Sequence, residues 1–162
     1  MLMLDFKFFV LYFIFIFHLI PAQEYNVRSY GAKGDGVTSD TIAVRSALAA
    51  ASNTNGGRVI FDSGYIFLTG CFNVTSNVIL DVRGTILGSI NVSDYEVISI
   101  LPWYGYHTDL VKQPFVYMYN ATNVTITGGG TIDGNGPYWY RCMINDTNPP
   151  CYPYGRYATD KE

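Results

Sequence analysis

The apolar residues in the first third of this chain, after its N-terminal segment, recur with the period of a helix. Four of them fall at positions i, i+3, i+4 and i+7: Val44, Ala47, Leu48 and Ala51. This spacing puts them on one stripe of a helix over residues 38–51. The side chains of Thr38, Ser39 and Asp40 are candidate N-caps, and Asn55-Gly56-Gly57 ends the pattern. We predict one amphipathic helix that packs its small-residue stripe against a flat surface.

The chain changes character after residue 57. Short runs of β-branched and aromatic residues alternate with turns rich in Gly or Asn, which is the pattern of strands. No helical pattern separates these runs, so an alternating α/β fold is disfavoured and an all-β fold is favoured. The predicted strands cover residues 58–61, 65–69, 77–80, 85–87 and 124–127.

An internal repeat is the strongest signal in the sequence. Residues 77–88 align without gaps on residues 123–134, with six of twelve positions identical at an offset of 46. Self-similarity of this kind indicates stacked repeats. With about 20–25 residues per coil of a β-helix, 46 residues correspond to two coils. Each repeat begins with Asn, which can form a ladder between coils, and contains Gly, which permits sharp bends.

The N-terminal segment predicts export. An apolar run from Phe8 to Ile20 follows Lys7, and the small residue Ala22 suits a cleavage position. About 13 apolar residues are typical of a signal-peptide core and short for a membrane span. A membrane anchor is the alternative. We therefore predict a signal peptide over 1–22, one domain over 23–162, a secreted or cell-wall location and no stable membrane insertion after cleavage.

Charge, sequons and cysteines refine this picture. The formal net charge is −3, without a basic run, so nucleic acid is not an expected partner. Asn-x-Ser/Thr sequons predict N-glycosylation at the surface, although Asn- and Thr-rich turns give the same pattern. In an oxidising compartment, Cys142 and Cys151 are close enough in sequence to pair, which leaves Cys71 over. The sequons begin at Asn73, Asn91, Asn120, Asn123 and Asn145.

Three stretches of the sequence resemble family-28 glycoside hydrolases, the polygalacturonases and their relatives. Residues 30–41, YGAKGDGVTSDT, resemble the family's N-terminal turn and the entry to its capping helix. Residues 84–89, GTILGS, resemble the strand and turn before the first long loop. Residues 129–136, GGTIDGNG, together with Trp139 resemble a signature of the family. The resemblance spans residues 25–140, nearly all of the chain after the predicted signal peptide.

The resemblance implies a right-handed parallel β-helix, a pectin-lyase-like solenoid, with the helix at 38–51 capping its N-terminal end. It also implies hydrolysis of galacturonosyl bonds in pectin with inversion. That reaction needs a carboxylic acid and an opposing carboxylate separated by roughly 6.5–9.5 Å. The family's motifs Asn-Thr-Asp, Asp-Asp, Gly-His-Gly and Arg-Ile-Lys supply its active-site groups, and none of them occurs in this sequence.

We therefore expect a fragment without its active site, incomplete at the C-terminal end and with no catalytic residue in this chain. A non-catalytic cell-wall or polysaccharide-binding β-helix protein is the alternative. No cofactor is expected, and His107 and Asp109 alone are too few ligands to hold a metal ion. Endo or exo action, the choice between polygalacturonate and rhamnogalacturonan, and the oligomeric state stay open.

Aromatic residues collect in two segments that interrupt the strand pattern, residues 91–119 and 137–157. Their rings can stack on sugar rings, and the alternative is packing against the solenoid wall. Trp139 is expected to pack, because the resemblance includes it. Asp35, Asp40 and Asp133 invite catalytic roles, but we predict helix capping or stabilisation of the helix dipole for the first two and a turn for the third. The substrate-binding candidates are Trp103, Tyr104, Tyr106, Tyr138 and Tyr140.

Overall fold

Parallel strands stack into a solenoid in this computed structural model, which describes residues 23–99 and 110–139. Two four-stranded parallel sheets form its main walls, in the orders β1-β3-β6-β11 and β2-β4-β7-β12. We call them the first and second sheets. The first-sheet strands are β1 (Glu24–Asn26), β3 (Gly57–Phe61), β6 (Val78–Val82) and β11 (Thr125–Thr127). The second-sheet strands are β2 (Asp35–Ser39), β4 (Ile66–Thr69), β7 (Thr85–Gly88) and β12 (Thr131–Asp133).

The remaining strands are short. A third wall consists of β5 (Phe72–Asn73) paired in parallel with β10 (Val116–Tyr117). An antiparallel pair, β8 (Val97–Ser99) and β9 (Leu110–Lys112), lies between β7 and β10 in sequence. Two 3₁₀ helices cover Val27–Tyr30 and Val92–Asp94. The predicted all-β, right-handed parallel β-helix is thus confirmed, and each of the five predicted strands is present with ends shifted by one or two residues.

The first-sheet register shows that the predicted coil count was wrong. Val59 lies opposite Leu80, a step of 21 residues, and Leu80 lies opposite Ile126, a step of 46 residues. An offset of 46 is therefore a single coil, not two. The extra length is the segment between β7 and β11, which contains β8, β9 and β10. The repeat itself marks two directly stacked coils.

Helix α1 (Thr41–Asn53) packs across the N-terminal end of the solenoid, against β1 and β3. All four residues of its predicted apolar stripe are buried, which confirms the capping helix. Its predicted start was wrong, because residues 35–39 form β2. Asp40 occupies the N-cap position without capping the helix. Its carboxylate instead accepts hydrogen bonds from the backbone N–H groups of Lys33 (2.7 Å) and Gly34 (3.0 Å).

Asp35 likewise does not cap the helix. It begins β2, and its carboxylate accepts hydrogen bonds from the backbone N–H groups of Thr38 (2.7 Å) and Val37 (2.9 Å). These two N–H groups, with the Thr38 hydroxyl, lower the pKa of Asp35 to about 2. The predicted capping role of Asp35 was therefore wrong. The residue still has a structural role, as expected, because its carboxylate binds backbone N–H groups at the start of β2.

The interior of the coils is apolar and layered. Side chains alternate along each strand, so inward residues stack on inward residues of the next coil. Phe67 lies over Ile86, and both are fully buried. The glycines of the repeat let the coils approach each other closely. A Cβ atom at Gly130 would lie 2.1 Å from the carbonyl oxygen of Gly84.

An asparagine ladder runs along the turns that precede the first-sheet strands, as the repeat predicts. The Nδ2 of Asn77 donates to Oδ1 of Asn55 (3.3 Å), and the Nδ2 of Asn123 donates to Oδ1 of Asn77 (3.0 Å). All three residues have positive φ, between 55° and 64°. Asn tolerates this left-handed backbone better than most residues, which explains its recurrence at the turn.

Candidate functional site

Three aromatic rings meet where the last described turn reaches the inserted segment. The Trp139 ring lies 5.3 Å from Tyr95 and 5.6 Å from Tyr138, and both pairs are T-shaped. Tyr95 is buried, and its hydroxyl donates to the carbonyl oxygen of Ser89 (2.8 Å). Burial raises the pKa of Tyr95 to about 12, so the phenol stays a neutral donor. Trp139 therefore packs, as the sequence predicts.

Tyr138 is the one predicted substrate-binding aromatic among the described residues. It is partly exposed and held edge-on to Trp139, so part of its ring remains open to solvent. The other four candidates lie outside the described residues: Trp103, Tyr104, Tyr106 and Tyr140. His107 and Asp109 lie outside them too. Substrate binding at these aromatics stays a prediction.

Arg45 anchors the inserted segment to α1. Its Nη1 lies 2.8 Å from the Glu96 carboxylate, and its Nη2 donates to the carbonyl oxygen of Asp94 (2.8 Å). Its Nε donates to the carbonyl oxygen of Cys71 (2.9 Å). Cys71 itself is a free, buried thiol. The predicted bridge between Cys142 and Cys151 lies outside the described residues and stays a prediction.

A cavity of about 260 Å³ opens beside this anchor. All three nitrogens of the Arg45 guanidinium already have partners, so the cavity wall does not offer this cation to an acidic sugar. The lining residues include Leu48 and Phe72 from the core, Asn73 from β5, and Gln113 from the connection between β9 and β10. We assign the cavity no chemistry.

Asp81 is held between two arginines on the outer face of the first sheet. Its Oδ2 lies 2.6 Å from Arg83 Nη2 and 2.9 Å from Arg58 Nη1, and its side chain is only 4% exposed. The two hydrogen bonds from Arg83, followed by the one from Arg58, hold the pKa of Asp81 below its usual range against the opposing effect of burial. A carboxyl group kept ionised in this way is unsuited to donate a proton to a leaving oxygen.

Other charged groups in the described residues have structural contacts as well. Asp133 accepts a hydrogen bond from the backbone N–H of Asn135 (2.8 Å), which is the turn role that the sequence predicts. Arg28 lies 4.0 Å from Asp62 and places its guanidinium 4.1 Å from the centre of the Tyr65 ring. Among residues 23–99 and 110–139, no cluster of His, Cys, Asp and Glu could hold a metal ion. No helix in those ranges is long and apolar enough to cross a bilayer.

Four of the five sequons lie in the described residues. Asn73 Oδ1 accepts a hydrogen bond from the largely buried Gln113 (2.6 Å), and Asn123 belongs to the asparagine ladder. Asn91 Oδ1 accepts from both the N–H (3.1 Å) and the hydroxyl (2.9 Å) of Ser93. Asn120 has positive φ and is exposed, and Asn145 lies outside the described ranges.

The sequence did not predict the contact between Asp81 and Arg58, and it did not predict that Tyr95 packs against Trp139. Arg58 and Asp81 are 23 residues apart and meet only because adjacent coils in this region are offset by 21 residues. A correct coil length read from the spacing of the short strands could have placed them together. No local motif marks Tyr95, whose role depends on its distant ring partner Trp139.

The chain is similar to proteins named as polygalacturonases over about three quarters of its length. A family model described as "Rhamnogalacturonase A/epimerase, pectate lyase-like" matches residues 25–98. A probable polygalacturonase of Vitis vinifera is 33% identical over 128 residues, which cover 74% of this chain and 26% of that protein. Polygalacturonase-2 of Solanum lycopersicum is 31% identical over 131 residues, covering 76% and 26%. The chain thus spans about a quarter of the length of these relatives.

The fold of the chain is also similar to part of the solved structures of two exopolygalacturonases. A hyperthermoactive exopolygalacturonase from Thermotoga maritima superposes with a TM-score of 0.64 at 32% identity, over 78% of this chain and 29% of that one. A family-28 exopolygalacturonase from Yersinia enterocolitica gives a TM-score of 0.60 at 28% identity, over 70% and 21%.

Proposed function

We propose that this chain, a relative of the N-terminal portion of the family-28 polygalacturonases, supplies the capped first coils of a hydrolase that cleaves galacturonosyl bonds in pectin. The observation that carries the proposal is the combined match in sequence and backbone to the Thermotoga maritima exopolygalacturonase, at 32% identity and a TM-score of 0.64. The described residues contribute architecture. They cap the solenoid with α1 and anchor the inserted segment through Arg45.

The proposed chemistry is inverting hydrolysis. It requires one protonated carboxyl group and one carboxylate that activates water. The two described carboxyl groups with shifted pKa values, Asp35 and Asp81, are both shifted downward, away from the value that a proton donor needs. The proposed acid and base therefore belong to coils with the family's catalytic motifs, which this sequence of 162 residues does not contain.

A chimera tests this function. Residues 23–139 would replace the matching portion of Solanum lycopersicum polygalacturonase-2, and release of reducing ends from polygalacturonate would be measured. We expect the chimera to retain activity, since the replaced part caps and supports the coils. A folded chimera without turnover would contradict the proposal. Polygalacturonate binding by the unfused chain, with an inactive chimera, would favour a non-catalytic binding protein instead.

The unfused 162-residue chain should itself release no reducing ends above background. The reason is the lack of the acid and base motifs, not a lack of folding. The same assay with purified chain checks this, and intact chimera serves as the positive control. Measurable turnover by the chain would place catalytic groups within these residues and would require a different assignment.

We also propose that the protein is secreted and carries an N-glycan at Asn91 in preference to Asn123. The Nδ2 of Asn91 has no hydrogen-bond partner among the described residues, whereas the Nδ2 of Asn123 donates within the ladder. Expression in a secreting eukaryotic host should show that Asn91→Gln removes the mass of one glycan and Asn123→Gln removes none. Mass spectrometry before and after enzymatic deglycosylation measures this. A glycosylated peptide that contains modified Asn123 would refute the preference.

A further inference from the structure

Two parallel tyrosine rings stand on the outer face of the third wall. The centres of the Tyr117 and Tyr119 rings lie 6.2 Å apart, and the planes of the two rings differ by 3°. Tyr119 is 67% exposed, and Tyr117 is partly exposed. Neither ring belongs to the buried core, so their alignment is a property of the surface. We call these two rings the tyrosine pair.

The register of the third wall sets the direction of the tyrosine pair. Val116 lies opposite the buried Phe72 and packs against the core. Tyr117 lies opposite Asn73, which is exposed. Because successive side chains of a strand point to opposite faces, Tyr117 points away from the interior. Tyr119 follows two residues later with a parallel ring, so both rings stand on the outer face.

The chain around the tyrosine pair carries no charge. Residues 72–80 and 113–132 contain no Asp, Glu, Lys, Arg or His. The exposed polar side chains of these ranges are amides and hydroxyls, including those of Asn73, Thr75 and Asn120. Such groups both donate and accept hydrogen bonds and therefore suit the hydroxyl groups of a sugar. The surface thus combines aromatic faces with neutral hydrogen-bonding groups.

An acidic sugar is a poor match for this surface. The face of an aromatic ring is the negative part of its quadrupole, so it attracts the polarised C–H bonds of a sugar ring and repels a carboxylate. A uronate is held best by Arg or Lys. The adjoining cation Lys112 donates to the carbonyl oxygen of Tyr95 (2.8 Å), and Arg45 has partners on all three nitrogens. The matching ligand is therefore a neutral sugar.

We propose that the tyrosine pair binds a neutral β-linked glucan. The glucose units of such a chain carry their substituents equatorially, so each ring presents a flat face of C–H bonds. One unit stacks on Tyr119, and the neighbouring unit contacts Tyr117. The site lies on the third wall, whereas Tyr138 follows the second sheet, and its ligand lacks the charge of a galacturonosyl chain. The inference rests on this outer face alone and does not depend on the hydrolase proposal.

NMR titration of the full chain tests the site, with cellohexaose as the neutral probe and hexagalacturonate as the acidic probe of equal length. We expect cellohexaose to bind more tightly. Tyr119→Ala should weaken cellohexaose binding about two- to tenfold, because it removes one stacking ring. Tyr119→Phe keeps the ring and should retain most of the binding. Tyr30→Ala, at a 37% exposed tyrosine of the first 3₁₀ helix, is the matched control and should have no effect.

The chain's own N-glycans are the competing occupant, since Asn73 and Asn120 begin sequons beside the two rings. The titration is therefore repeated on chain secreted by a eukaryotic host and on chain from a bacterial host that adds no N-glycans. We expect equal cellohexaose affinities. Binding by the glycan-free chain alone would assign the tyrosine pair to a glycan of this protein and would overturn the proposal. So would a folded chain that does not bind cellohexaose, tighter binding of hexagalacturonate, or equal weakening by Tyr30→Ala and Tyr119→Ala.

Discussion

Phe67→Ala should lower the free energy of unfolding by about 3–5 kcal/mol, the range typical of a fully buried phenylalanine. Phe67 is 0% exposed and lies in register over Ile86 of the next coil. Its ring also makes a T-shaped contact with Phe61 at 5.3 Å. The truncation would remove one layer of the stack and leave a cavity that fixed coils cannot close. Urea denaturation followed by circular dichroism measures the change.

Ile66→Ala is the matched control for this substitution. Ile66 precedes Phe67 on β4, and its side chain is 44% exposed on the outer face. The control removes apolar volume from the same strand without opening the interior, so we expect a loss below about 1 kcal/mol. If both variants lost the same free energy of unfolding, packing of side chains in the interior would not be what stabilises the coils.

The repeat in the sequence predicted the stacking of coils correctly but gave the wrong number of them. Self-similarity reports the distance between equivalent positions, such as Leu80 and Ile126, and not the number of turns between them. The inserted segment with β8 and β9 has no counterpart in the other coils, so it adds length without adding similarity. The preceding step, from Val59 to Leu80, is only 21 residues and shows the length of a coil without that insertion.

The helix and the strands could be predicted from the local sequence, because burial of one face imposes a regular spacing on the apolar residues. The roles of single polar residues could not all be predicted in this way, since some of their hydrogen-bond partners lie elsewhere in the sequence. Asp40 stands where a local rule predicts an N-cap, yet its carboxylate binds the N–H groups of Lys33 and Gly34 in the preceding turn. Asp133, by contrast, bonds two residues ahead, and the local rule was right. A local partner is nevertheless not sufficient for a correct prediction. Asp35 also accepts hydrogen bonds from residues two and three positions ahead, Val37 and Thr38, and its predicted capping role was wrong.

Asp81→Asn is expected to destabilise the protein at neutral pH by about 1.5–3 kcal/mol, the range for hydrogen bonds to charged groups. The variant keeps the side-chain shape but removes the charge that faces Arg58 and Arg83. Because the pKa of Asp81 is lowered in the folded state, its contribution is complete above the unfolded pKa of roughly 3.9. It is lost as the pH falls through the folded pKa. The difference in unfolding free energy between wild type and variant should therefore be constant from about pH 5 to 8 and shrink below about pH 4.

Urea titrations of both proteins across this range measure that difference, and the other carboxyl groups cancel because both proteins contain them. Asp133→Asn provides the control. Asp133 is exposed and accepts one hydrogen bond from a backbone N–H, which an asparagine oxygen can also accept. We expect it to change stability by less than about 0.5 kcal/mol at neutral pH. A wild-type advantage over Asp81→Asn that persists undiminished at pH 3 would mean that packing or side-chain geometry, and not the charge between the two arginines, makes Asp81 stabilising.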